Sequence, residues 1–298
     1  MTDVLAIANA NAGSSTDEAE AAALTVLREH LDVTLVTTAS PDDLEQAIGD
    51  HRDATTAVVL GGDGSLHAVV AALHAAGRLR DVTVGLVPLG TGNDYARSFD
   101  LPLEPAAAAR VVVDGHVQDV DLVFDGDDRV VVNAAHVGIG AEAAAKAKPW
   151  KKVLGPVGYA VGALVTGFST HSVKVEIFLD GEPLPARDRV LQVAVGNGRF
   201  VGGGAELLPD AVPTDGVLDV SISYSVGLWQ RLSYAWHLRR GEHPNREDVV
   251  YRTCQTVEVR GEALRCTTDG ELTPPSRVHQ WRVEPGAMRL LVPPTAPS

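Results

Sequence analysis

Residues 58–73 read VVLGGDGSLHAVVAAL. An apolar, strand-like run passes into Gly61, Gly62, Asp63 and Gly64, and then into a stretch rich in Ala, Leu and Val. Glycines leave the backbone N–H groups of such a turn open to phosphate oxygens. The helix that follows presents the positive end of its dipole to the same point. Asp63 is the odd member, because a carboxylate repels phosphate unless a magnesium ion bridges the two or the carboxylate accepts hydrogen bonds. A plain strand-to-helix turn is the competing reading. The pattern is neither a P-loop, which needs Gly-Lys-Ser/Thr, nor a GxGxxG fingerprint.

A second stretch, VPLGTGNDYARSFDLP at 87–102, ends a strand at Pro88 and offers Thr91, Gly92, Asn93 and Asp94 in its turn. Consecutive strands of a parallel sheet deliver such loops to one edge, where ligands bind. Two loops there suit a nucleotide cleft. Alternatively, Asn93 and Asp94 cap a helix, and Arg97 with Asp94 makes a solvated surface pair. Late in the chain, Asp269-Gly270-Glu271 reads first as a hairpin turn.

These residues need a frame. Over the first 120 positions strand and helix signals alternate: VLAIAN at 4–9, a helix-prone 17–30, LDVTLVTT, a helix opened by Ser40 and Pro41, TAVVL at 56–60, a helix closed by Gly77, and VTVGLVP at 82–88. This rhythm predicts a Rossmann-like α/β domain with a parallel sheet. Beyond about residue 120 come short β-type runs with turn signals between them, LDGEP at 179–183 among them. They predict a mostly antiparallel β-sandwich, with helical patterns at about 142–169 and 227–240. The expected division is an α/β domain over 1–121, with about 286–298 returning to it, and a sandwich domain over 122–285.

Bulk properties narrow the function. The chain has 298 residues, 39 acidic against 25 basic, and a net charge of −14. A nucleic-acid binder needs a basic face, so that class is excluded. Cys254 and Cys266 show no metal-type spacing, and two cysteines suit a reduced, cytoplasmic compartment. The N-terminus lacks a basic n-region and reads as a first strand. The longest apolar run, 157–168, falls short of the roughly 20 residues of a membrane span. Lys146, Lys148, Lys151 and Lys152 around Trp150 suit peripheral contact with anionic lipid, or else a solvated loop. A sheet edge of the second domain is a possible homodimer contact.

GGDGS followed by PLGTGND-Y-AR resembles the diacylglycerol-kinase catalytic-domain family, which includes bacterial lipid kinases and the sphingosine and ceramide kinases. The resemblance continues through NANAG at 9–13, NAAHVGIGAEA at 133–143, VAVGNGRFVGGGAELLPDAVPTDGVLDV at 193–220 and TDGE at 268–271, in family order.

The resemblance implies an ATP-dependent lipid kinase with its active site in the cleft between two domains and diacylglycerol as first substrate. Asn9, Asn11, Gly13, Thr37, Gly61, Gly62, Asp63, Gly64, Ser65, Leu66, His67, Thr91, Gly92 and Asn93 would line the ATP site. Glu271, beside Asp269, would be the general base. Asp63, Asp94 and Asp121 would organise catalytic Mg²⁺. VPTDGV at 212–217 would hold a second cation through the Asp215 carboxylate and the carbonyls of Val212 and Val217. Ala10 replaces the usual proline, Ser65 a threonine, His67 an asparagine and Glu142 an aspartate; no catalytic acid of the pattern is missing. A kinase of a sphingoid base or another lipid in the same family, an NAD kinase, which shares the GGDG loop, and a non-catalytic nucleotide or lipid sensor are the rivals.

Overall fold

The structure, a computed structural model, describes residues 3–10, 14–138, 172–185, 189–224 and 227–294. The chain divides into two compact units. One comprises Met1–Leu122, Pro213–Asp215 and Glu284–Ser298; the other comprises Val123–Val212 and Gly216–Val283.

The first unit runs β1 (Asp3–Asn9), α1 (Ser14–His30), β2 (Asp32–Thr38), α2 (Pro41–Asp50), β3 (Thr56–Gly61), α3 (Asp63–Ala75), β4 (Thr83–Pro88), α4 (Asp94–Ser98), α5 (Pro105–Asp114) and the greater part of β5 (His116–Asp125). Its strands lie side by side in the order β2-β1-β3-β4, all parallel. The last strand of the chain extends the sheet beside β4 through Arg289↔Thr83 and Leu290↔Val84. Strands buried on both faces carry continuous apolar runs, and β3 and β4 do so. Leu24 and Leu27 of α1 and Ala108, Ala109 and Val112 of α5 bury against Val4, Ala6, Val58 and Leu60.

Local signals place the helix ends. Ser40 accepts the Asp43 amide while the Asp43 carboxylate accepts the Ser40 amide, a reciprocal capping box that fixes the start of α2. Gly77, at φ 67°, closes α3 by taking the left-handed conformation that side chains disfavour. Its N–H bonds the His74 carbonyl, and that of Arg78 bonds Leu73.

The second unit contains β6 (Val130–Val131), β7 (Ala134–Gly138), β8 (Val175–Leu179), β9 (Glu182–Pro183), β10 (Gln192–Gly196), β11 (Phe200–Val201), β12 (Ala205–Glu206), β13 (Leu218–Ser223), α6 (Leu228–Leu238), β14 (Val249–Cys254), β15 (Thr256–Leu264), β16 (Cys266–Thr268), β17 (Glu271–Leu272) and the early part of β18 (Ser276–Val292). One antiparallel sheet follows the order β14-β13-β10-β7-β16-β17. Facing it, β15 pairs antiparallel with β8 and β18. Val137, Val193, Val195 and Val220 of the first sheet share a buried cluster with Ile177, Val257, Val259 and Trp281 of the second, which makes the unit a sandwich. The LDGEP hairpin joins β8 to β9, with Asp180 and Gly181 both at positive φ as a type I′ turn requires.

Among the described residues no helix is long and apolar enough to cross a membrane. The helix expected at 142–169, the lysines around Trp150 and the apolar run 157–168 lie outside the described residues.

Beside α6 sits His243, 0% exposed, with its ring edge-on to Tyr234 at 5.7 Å. Burial pulls its pKa from 6.5 down to about 4, against a smaller opposing pull from the Leu207 backbone. The folded value lies below the unfolded one, so the neutral ring's contribution is complete above pH 6.5 and drains away as pH falls toward 4. At roughly 1.4 kcal/mol per pKa unit the full loss is about 3 kcal/mol. Urea midpoints of the wild type should therefore fall more steeply over this window than those of a His243→Phe variant. Parallel curves would remove His243 from the acid response.

Candidate active site

The two glycine loops of the first unit touch through their backbones. A Cβ on Gly62 would stand 2.9 Å from the Gly90 Cα, and one on Gly90 would stand 2.6 Å from the Gly62 Cα and 2.8 Å from the Asn93 side-chain oxygen. Asn93 braces the second loop: its Oδ1 accepts the Gly90 amide at 3.0 Å and its Nδ2 donates to the Gly90 carbonyl at 2.8 Å. Asp63 ties the loops together, because its carboxylate accepts the amides of Asp94 at 3.1 Å and Tyr95 at 2.9 Å. It thereby caps α4 from a position thirty-one residues away. Arg97 Nε donates to the Gly92 carbonyl. Replacing Gly90 by alanine should force the loops apart and cost about 1–3 kcal/mol of stability in a denaturant titration. Gly64→Ala is the control, since a Cβ there meets nothing within 4 Å. Equal midpoints for the two variants would contradict the close-packing argument.

The thirteen-residue helix α3 begins at this junction without any side-chain cap on Gly62. Its first N–H groups have no partner inside the helix, and Leu66 is the first to bond back, to the Gly62 carbonyl. A helix start of this kind is suited to receiving an anion. Beside it opens a pocket of about 170 Å³ walled by Asn9, Thr38, Ser40, Gly64 and Ser65. Most of the expected nucleotide residues of the first unit belong to these loops. Ser65 packs over Gly61. Leu66 is core, His67 is half-buried one turn into α3, and Thr91 is exposed. Thr37 is exposed on β2, and its neighbour Thr38 lines the pocket. Ser40 was legible as a helix cap, but neither it nor Thr38 was legible as a pocket residue, because nothing local sets them apart from ordinary cap and strand-end residues. Asn11 and Gly13 lie outside the described residues.

In the second unit, three segments far apart in sequence meet at one end of the antiparallel sheet. The Asp269 carboxylate accepts the amides of Val132 at 2.7 Å, Asn133 at 2.9 Å and Ala134 at 3.1 Å. The Asn133 carbonyl accepts the amides of Asn197 and Gly198, and its side chain donates to the Phe200 carbonyl at 2.6 Å. Asp269 (φ 46°) and Gly270 (φ 86°) form the two-residue turn between β16 and β17. The exposed Glu271 follows directly, paired in register with Thr268. The hairpin expected from Asp-Gly is present, and it holds Glu271 at the sheet's end.

The expected metal-organising acids are used separately. Asp63 spends both oxygens on α4, while the buried Asp121 accepts the Gly286 amide at 2.8 Å and donates its own amide to the Pro213 carbonyl. Asp94 is buried at the start of α4. Among the described residues no three Asp, Glu, His or Cys side chains gather as a metal would require. A three-carboxylate magnesium cluster therefore does not fit. Asp215 is exposed in the first unit. In the second unit the Val212 side chain is exposed.

Residues 3–124 match the family model of the diacylglycerol kinase catalytic domain, and residues 133–292 match that of the YegS C-terminal NAD kinase beta sandwich-like domain. The chain is 30% identical over 249 residues to the protein named probable lipid kinase YegS-like from Cronobacter sakazakii, spanning 83% of this chain and 81% of that one. The chain belongs to the YegS-like lipid kinase family. Within that family frame, it is also 29% identical over 255 residues to a diacylglycerol kinase of Mycobacterium tuberculosis, covering 84% and 80% of the two chains. The crystal structure of a diacylglycerol kinase from Bacillus anthracis superposes with a TM-score of 0.79 over 98% of this chain and 97% of that one, at 22% identity, so the fold is shared. The YegS-type sandwich is itself described as NAD kinase-like. The sandwich alone therefore does not separate a lipid kinase from its NAD-phosphorylating rival; the 30% identity over 83% of the chain to a protein named as a probable lipid kinase favours the former.

Proposed function

We propose that the protein transfers the γ-phosphate of ATP to the hydroxyl of a lipid, with diacylglycerol as first substrate and phosphatidic acid as product. The observation that carries the nucleotide half is the uncapped start of α3 at the Gly62–Gly90 junction, with a pocket beside it. Backbone amides there would cradle phosphate oxygens, and Asp63 would hold the two loops in register for that purpose.

For the acceptor half, Glu271 takes the proton from the lipid hydroxyl. The hydroxyl oxygen bonds the γ-phosphorus as the bond to the β-phosphate oxygen breaks, and ADP leaves. Asp269 positions Glu271 through the turn it anchors. Magnesium, when bound, would neutralise charge on the phosphates; with no three-carboxylate cluster among the described residues, it would enter on the nucleotide itself. Localisation at the cytoplasmic face of a membrane, by peripheral contact, belongs to the same proposal.

The test is transfer of labelled γ-phosphate from Mg·ATP to a panel of diacylglycerol, sphingoid base, ceramide and glycolipid in mixed micelles, with NAD as a parallel acceptor. Label in diacylglycerol is the expected result. Label in NAD alone would replace the lipid reading with the NAD-kinase one. ATP binding without transfer to any acceptor would favour the sensor.

A further inference from the structure

Helix α6 is amphipathic in an unusual way. Its inner side is committed to the fold: Tyr234 buries with Leu191 and Val249, and Leu238 packs against them. Its outer side carries Trp229, 80% exposed, and Trp236, 57% exposed. Seven residues apart, these rings lie on one stripe, with Leu232 between them and Arg239 and Arg240 at its end. The Arg240 guanidinium lies 4.3 Å from the centre of the Trp236 ring. Two of the chain's four tryptophans thus stand in water on a single helix. The segment 227–241 holds three arginines and no acid, in a chain whose net charge is −14.

Exposed tryptophan is costly unless the ring has somewhere to go. Its preferred place is the headgroup zone of a bilayer, where the ring is half dry and its N–H is wet. Arginine beside it meets lipid phosphate, and its stem buries while its head stays polar. This combination of a helix lying flat, apolar rings on one stripe and cations at its border is the physics of an interfacial helix. The local positive charge matters more here because the rest of the molecule repels anionic surfaces.

We infer that the Trp229–Trp236 face of α6, with Arg239 and Arg240, is the surface by which the protein docks on a bilayer containing anionic lipid. The inference rests on the lipid-kinase reading for its purpose, since such an enzyme must meet a substrate embedded in a membrane. A second copy of the chain could cover the same rings; the charge favours the bilayer, because arginines at the border of the stripe would face arginines across a two-fold.

The experiment uses the full chain, wild type, W229S/W236S and R239E/R240E, floated with vesicles of phosphatidylcholine alone and of phosphatidylcholine with phosphatidylglycerol. The replaced side chains are exposed, so thermal melts should coincide and exclude misfolding. Wild type should float with the anionic vesicles, and each variant should bind them about tenfold or more weakly. Phosphorylation of diacylglycerol in those vesicles should fall in parallel, while phosphorylation of a short-chain diacylglycerol dissolved as monomers stays at the wild-type rate. Variants that float like the wild type would overturn the docking face. So would a wild-type dimer that the tryptophan variants dissociate without changing flotation. Helix-dependent flotation with no phosphorylation of either lipid form would leave the docking face standing and defeat the kinase reading instead.

Discussion

Glu271→Gln should lower turnover by roughly a hundred- to ten-thousand-fold, the range associated with removing a general base. The amide has the shape of the carboxylate and cannot take the lipid's proton. Glu271 opens β17 as an exposed residue, so the replacement should change stability by no more than about 0.5 kcal/mol. The glycine loops belong to the other unit, so nucleotide affinity should hold. The measurement is single-turnover transfer of label from pre-bound Mg·ATP to diacylglycerol, beside a nucleotide titration. Wild-type transfer would remove Glu271 from the chemistry, and loss of transfer together with loss of nucleotide binding would point to a folding fault. The sensor alternative predicts no difference between the two proteins in any signal they give.

Much of this site was legible because its signals are local. Three glycines between an apolar strand and a helix can be read as a phosphate turn without knowing what surrounds them. Ser40 with Pro41, and Gly77, announce helix ends for the same reason. What could not be read from residue types and spacing is partnership at a distance. Asp63 stands among glycines as a candidate metal ligand, yet its carboxylate caps α4 from thirty-one residues away. No local pattern distinguishes an acid that binds a cation from one that accepts two amides. Gly62 and Gly90 are each explicable as loop glycines, but that each must be glycine because of the other emerges only when their backbones meet. In the second unit the order of motifs was visible, whereas their convergence was not: Asp269 reaches Val132, 137 positions away. The helix expected at about 227–240 was readable from its composition, while the exposure of its tryptophans depends on which side the sandwich covers.

That long-range bond makes Asp269 the natural contrast to Glu271. Asp269→Ala should cost about 4 kcal/mol of stability, against little for its neighbour two positions on. Three backbone N–H groups lose an ionised acceptor, each bond to such a group being worth about 1.5–3 kcal/mol before non-additivity. Val132, Asn133 and Ala134 are themselves buried, so water cannot readily replace the lost partner. Alanine also tolerates φ 46° poorly, which adds about 1 kcal/mol to the turn. Asp269→Asn should fall between alanine and wild type. Asparagine accepts the left-handed conformation and, next to Gly270, makes the favoured type I′ pair. It keeps one oxygen, able to serve Asn133 and Ala134 as Oδ1 does now, but turns an N–H₂ group toward the Val132 amide. Urea titrations of the three proteins should rank wild type above asparagine above alanine at unchanged slope. If alanine and asparagine coincide, turn conformation and not the triple amide contact governs stability here. If both match the wild type, the Asp269 bonds hold nothing together, and its place beside Glu271 must then be explained by chemistry alone.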